Sequence, residues 1–135
     1  NKLKKKKGWK KTIELGFISR DKAKEIKSKC FAGIVTYLPE QNHINAQPNK
    51  IFEYMASGLC VIGSNFKLWK KIIEDNDVGI CVDPYNPKEI GKAISYLKEN
   101  QKDVIRMSKN GVNSVQNIFN WSVEEKKLLN IYKNL

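Results

Sequence analysis

Apolar residues along this chain gather into four short runs, Thr12 to Phe17, Gly33 to Leu38, Leu59 to Ser64 and Gly79 to Val82, separated by stretches of helical spacing. Strands that alternate with helices predict a parallel α/β sheet. After the first run, SRDKAKEIKSKC reads as a helix with Ser19 as its cap and Asp21 in its first turn, where a carboxylate complements the helix dipole. A short amphipathic helix is predicted over Leu68 to Glu74. Asn86-Pro87-Lys88-Glu89 opens a longer one with a capping side chain, a proline at the first position and a reaching glutamate. Ile90, Ala93, Ile94 and Leu97 then repeat at helical spacing. Asp103 to Phe119 is a further helix, and Ser122-Val123-Glu124-Glu125 predicts a capping box for a last helix ending near Leu135. No internal repeat and no Pro/Gly-rich linker divides the 135 residues, so one small domain with one core is expected.

The segment Asn45 to Ser64, NAQPNKIFEYMASGLCVIGS, is the most telling. It reads as loop, helix, glycine stop and buried strand. Pro48 suits the first helical position, and Gly58 supplies the left-handed residue that ends the helix. In such a unit the helix start lies over one edge of the sheet with free N–H groups facing outward, a place for a phosphate-bearing ligand. Glu53 is a carboxylate among Ile51, Phe52, Tyr54, Met55 and Ala56. Taken out of water it must find partners. Ribose hydroxyls would serve, since an ionised carboxylate accepts two O–H donors. Pairing with Lys50, or reaching solvent, would serve as well.

Charge and cysteine usage narrow the setting. The net charge is +11, with a basic cluster of Lys4 to Lys7, Lys10 and Lys11 around Trp9. Such a balance suits nucleic acid or an anionic membrane surface. The cluster reads as a solvated charge run, or as a peripheral contact with anionic lipid. Trp9, Trp69 and Trp121 are spread one per region rather than interleaved with the basic residues, which argues against a nucleic-acid partner. Cys30, Cys60 and Cys81 are odd in number and lie in or beside apolar segments, as buried free thiols of a reducing compartment would. No spacing suggests a metal site. No apolar run reaches membrane-spanning length, so the expectation is a soluble, cytoplasmic protein, peripheral at most at the inner membrane face.

The stretch HINAQPNKIFEYMASGLCVIGSNF, continued by GICVDPYNPKEI and more weakly by ELGFISRDKAKEI and FNWSVEEKKLLNIY, resembles the C-terminal, donor-binding half of the family-4 retaining glycosyltransferases, the group 1 glycosyl transferases of GT-B fold. The resemblance implies a Rossmann-like parallel sheet with flanking helices. It implies that residues 1–135 are a nucleotide-sugar-binding domain incomplete at its N-terminal end, with residues 120–135 as a helix crossing back toward a missing N-terminal GT-B domain. The implied chemistry is sugar transfer with retention from a nucleotide donor, with a uridine-linked donor expected and no metal. The acceptor would be a glycan or lipid-linked molecule, as in bacterial surface polysaccharide or lipopolysaccharide synthesis. The fragment alone would be inactive, because the basic pair that holds the donor diphosphate belongs to the absent part.

Carried onto this sequence, the family's Glu-x7-Glu pattern places its second, ribose-binding glutamate at Glu53 and its first at Asn45, a departure. A second departure is Lys71, near which family members often carry a glutamate. The donor-binding set implied is Glu53, Asn45, Ala46, Gln47, Asn49, Lys50 and His43, with Phe17 or Ile18 as an apolar wall against the base. Several keep a plainer reading: Phe17 and Ile18 as an ordinary turn, His43 as a surface group, Lys50 as a partner of Glu53. Ser64-Asn65-Phe66 suits hydroxyl contacts or helix capping equally.

Three other classes compete with this reading. One is a basic nucleic-acid-binding α/β domain. Another is a receiver-like signalling domain, which lacks its strand-end Asp at Tyr37-Leu38-Pro39-Glu40. The third is a sugar-nucleotide epimerase relative, whose extra acid and base Asn45 does not provide.

Overall fold

In the computed structural model, which describes residues 2–134, the fourteen-residue span from Asp21 to Ile34 already shows the repeating plan of helix followed by strand. The strands are β1 (Ala32–Val35), β2 (Cys60–Ser64) and β3 (Gly79–Val82). The helices are α1 (Arg20–Lys27), α2 (Gln41–Ile44), α3 (Asn49–Ala56), α4 (Lys67–Ile73), α5 (Pro87–Glu99), α6 (Gln101–Asn117) and α7 (Trp121–Lys133). All five residues of β2 are buried, as an unbroken apolar run requires of a strand covered on both faces. β1 pairs parallel on one side of it, with Gly33 opposite Val61, and β3 on the other, with Gly63 opposite Cys81. The result is an α/β, Rossmann-like parallel sheet in the order β1-β2-β3 with helices on both faces.

Alternation along the strands divides the core in two. Val35, Val61 and Cys81 face α3 and α4, where Ile51, Met55, Trp69 and Ile73 cover them. Cys60, Ile62 and Val82 face the other way, under Ala93 and Leu97 of α5 and Val104 and Met107 of α6. Helix α6 has 17 residues, about 25 Å, enough to pass under the sheet from one face to the other. It meets α3 at Gly111, where any side chain would sit 3.3 Å from the Met55 Cα. Below the strands, Ser108 Oγ donates to the Gly58 carbonyl at 2.7 Å, and Asn110 donates to Asp77 at 2.9 Å. Gly58 has φ +69°, as its place after α3 demands.

Several sequence expectations meet corrections here. Thr12 to Phe17 is not a strand: it lies outside the sheet, with Ile13 84% and Phe17 fully exposed. Alternation does not hold a strand whose N–H and C=O groups lack a neighbour, and Gly16 at φ +61° turns the chain at its end. Pro48 is the residue before α3, at φ −69° and ψ 132°, rather than its first helical residue. The last helix is capped by Asn120, whose Oδ1 accepts from the Val123 N–H at 3.1 Å, and not by Ser122, which lies inside the first turn. Leu135, expected near the end of that helix, lies outside the described residues. Cys60 and Cys81 are buried, but Cys30 is exposed.

Candidate functional site

Every parallel strand here points its carboxyl end to the same edge, and ligands of open α/β sheets bind beyond that edge. The longest connection leaving it runs from Thr36 to Pro48 and carries α2. Three side chains hold this loop in place. Ser64 Oγ, buried at the end of β2, donates to the Tyr37 carbonyl at 2.7 Å. Trp69 Nε1, on fully buried Trp69 of α4, donates to the Ala46 carbonyl at 2.8 Å. His43 Nδ1 lies 3.0 Å from the Leu38 carbonyl. A carbonyl only accepts, so that nitrogen carries the proton, and in the neutral ring Nε2 is left as an acceptor. The rings of Tyr37, His43, Trp69 and Phe66 pack in a chain, with centroids 4.9 to 5.6 Å apart.

The loop thus delivers Asn45, Ala46 and Gln47, all exposed, to the start of α3. No side chain caps that helix, and among the described residues the N–H groups of Asn49 and Lys50 have no partner. They leave a partial positive charge at the rim. Lys50 does not pair with Glu53; among the described residues, neither side chain has a salt-bridge or hydrogen-bond partner. Glu53 is exposed rather than buried, which corrects the expectation of an acid taken out of water. The reason is geometric. Ile51 and Met55, two residues either side, take the buried stripe of α3, and Glu53 falls on the opposite face.

A cleft of about 280 Å³ opens beside the start of α3, lined by Gln47 and Phe52 together with Phe119, Asn120, Trp121 and Glu124 from the junction of α6 and α7. Phe52 and Phe119 meet with ring centroids 5.3 Å apart. A second cleft, of about 270 Å³, is lined by Asn45, Lys67, Leu68 and Lys71. Phe17 and Ile18 stand before α1, Phe17 in full solvent and Ile18 half-buried. No described hydrogen bond or ring contact joins them to the loop. Of the Ser64-Asn65-Phe66 turn, Ser64 is an internal pin, Phe66 is buried against Trp69, and only Asn65 faces solvent. No group of three or more His, Cys, Asp or Glu side chains comes together among the described residues.

With this architecture in view, comparison with known proteins gives one finding. The family described as "Glycosyl transferases group 1" matches residues 1–114. The chain belongs to the group 1 glycosyl transferases. Glycosyl transfer is the chemistry this membership carries. No curated protein and no solved structure matches. No described helix is long and apolar enough to cross a membrane.

In this group 1 domain, sequence reasoning missed Ser64 and Trp69 as anchors of the loop and, apart from Gln47, the residues that line the first cleft. The bond from Trp69 to a carbonyl 23 positions earlier carries no local signal. Phe119, Asn120, Trp121 and Glu124 reach the rim only because α6 passes under the sheet. The segment FNWSVEEKKLLNIY that contains them was the one available pointer.

Proposed function

We propose that this chain is the C-terminal, donor-binding part of a retaining glycosyltransferase of GT-B fold, and that its donor is a nucleotide-diphosphate sugar, uridine-linked. One observation carries the reading: an uncapped helix start with Lys50 in its first turn and Glu53 in its second, both unpaired among the described residues, beside a loop fastened by three hydrogen bonds. In this reading the N–H groups of Asn49 and Lys50, with the Lys50 ammonium, meet diphosphate charge. Glu53 accepts from the two ribose hydroxyls; unoccupied by protein donors, it keeps both oxygens available. Asn45, Ala46 and Gln47 read the sugar, and His43 offers Nε2 to a hydroxyl. Phe17 and Ile18 face the base.

The residues proposed here act by placement and electrostatics. As the bond from the anomeric carbon to the diphosphate lengthens, charge grows on the departing oxygen, and fixed N–H dipoles with a positioned ammonium stabilise it. A donor whose ring is held through its hydroxyls presents one face to the acceptor, a glycan or lipid-linked hydroxyl, which enters on the side the diphosphate leaves. The partner is a second GT-B domain that supplies the acceptor pocket and the remaining diphosphate charge. Exposed lysines of the turns Leu3–Lys5 and Lys7–Lys11 suit a peripheral contact with anionic lipid on the cytoplasmic side.

Amide-resolved NMR titration of the chain with uridine diphosphate tests the reading. Shifts confined to Asn45–Glu53 and the turn at Phe17 are the expected result. Shifts spread over the lysine-rich surface, or equal response to any polyanion, contradict it and favour the basic nucleic-acid-binding alternative.

A further inference from the structure

Asn45 and Lys71, far apart in sequence, line one cleft. With Lys67 and Leu68 they enclose about 270 Å³ at the carboxyl edge of the sheet. Trp69, between Lys67 and Lys71 on α4, is the residue whose Nε1 holds the Ala46 carbonyl, so the same helix that presents the two lysines fixes the loop that presents Asn45. The lining residues are two lysines, one asparagine and one leucine, with no acidic residue among them. Among the described residues neither Lys67 nor Lys71 has a salt-bridge partner; the described bridges engage Lys4, Lys22, Lys29, Arg106 and Lys127.

We infer that this cleft receives an acidic group carried by the transferred sugar, a carboxylate as in a uronic acid. The inference rests on the donor-binding reading above and adds to it the charge class of the sugar. A neutral hexose offers no charge to match two ammonium groups, whose strong hydration its hydroxyls must then replace. A carboxylate seated between them is matched in charge, and the Asn45 amide donates to it without the repulsion that an acid at that position would bring. The diphosphate is the competing anion, but it has its own donors at the start of α3.

NMR titration of the chain with uridine diphosphate, UDP-glucose and UDP-glucuronic acid separates these. Each exposed ammonium–carboxylate pair strengthens binding by roughly two- to fivefold, so about tenfold tighter binding of the acidic donor over the neutral one is expected. Shifts at Lys67 and Lys71 should appear with the acidic donor only. Both lysines are solvent-facing, so the K67Q/K71Q double variant should fold, and it should bring the ratio of the two dissociation constants close to one. Asn45→Glu should do the same by repulsion. Equal affinity for the two sugars overturns the inference while leaving donor binding intact. So does an equal response of Lys67 and Lys71 to uridine diphosphate alone, which would assign the cleft to the diphosphate. Absence of any nucleotide response at the rim overturns the donor-binding reading and this inference with it.

Discussion

Trp69→Phe should be the most informative change to the scaffold of the site. The indole is fully buried, and it makes three kinds of contact: a hydrogen bond from Nε1 to the Ala46 carbonyl at 2.8 Å, ring contacts with Tyr37 and Phe66, and packing in the core beneath α3 and α4. Phenylalanine keeps the aromatic body and removes the donor and the second ring. The lost hydrogen bond costs about 1 kcal/mol net. The space left by the missing atoms adds about 1–2 kcal/mol, a fraction of the ~3–5 kcal/mol of a complete aromatic-to-alanine truncation. The expected total is ~2–3 kcal/mol. At a slope of roughly 1–3 kcal/mol per molar in urea, the unfolding midpoint falls by about 0.7–3 M. Circular dichroism at 222 nm is the suitable probe, because the substitution itself alters fluorescence. Amide exchange in the loop at 42–47 should quicken by more than in α5, since only that loop loses an anchor. A midpoint shift equivalent to less than ~0.5 kcal/mol would refute the argument that Trp69 holds the loop.

The remaining predictions concern thiols and charge. Burial pushes the Cys60 thiol up to about 11 and the Cys81 thiol up to about 12, whereas Cys30 is exposed. A thiol reagent at pH 8 should therefore modify one cysteine of the folded chain quickly and the other two only on unfolding. Rapid reaction of all three would contradict the packing of β2 and β3. The Asp103 carboxyl is held below its ordinary range, first by the Tyr96 hydroxyl and then by the Arg106 guanidinium. A lowered folded-state value means the contribution to stability is complete above the ordinary carboxyl range near ~3.9 and fades as pH falls through the folded value. Wild type should exceed Asp103→Asn in unfolding midpoint at pH 7, with the gap closing toward pH 3; a gap independent of pH would refute the clasp of Tyr96, Asp103 and Arg106.

Signals that act within one turn of chain were legible in the sequence. Ser19 does cap α1, accepting from the Lys22 N–H at 3.2 Å. Asn86 caps α5 with Pro87 behind it, and Glu89 reaches back to the Asp83 N–H at 3.1 Å. β3 falls on Gly79–Val82, as its apolar run predicts. Failures came where the outcome depends on distant partners. Thr12 to Phe17 has the alternation of a strand but, among the described residues, no neighbouring strand to pair with. Asn120 displaces Ser122 as a cap because its extended backbone puts Oδ1 on the Val123 N–H. Glu53 looked buried because its neighbours are apolar, yet on a helix the residue at i+2 from a buried one faces away. The position of Glu53 in the motif was therefore readable, while its solvent exposure had to come from the packing of Ile51 and Met55.

Glu53 is the residue on which the donor-binding account turns. It is exposed and has no described protein partner, so Glu53→Ala should leave the thermal unfolding midpoint unchanged within the ~0.5 kcal/mol typical of surface substitutions. Affinity for uridine diphosphate should nevertheless fall at least about tenfold, because two ribose hydroxyls lose a charged acceptor worth ~1.5–3 kcal/mol in hydrogen bonding. The direct measurement is the dissociation constant of wild type and Glu53→Ala for uridine diphosphate, taken side by side by NMR titration. A tenfold or larger loss in a variant that melts like wild type is the expected result. Equal constants would remove Glu53 from the site and contradict the account.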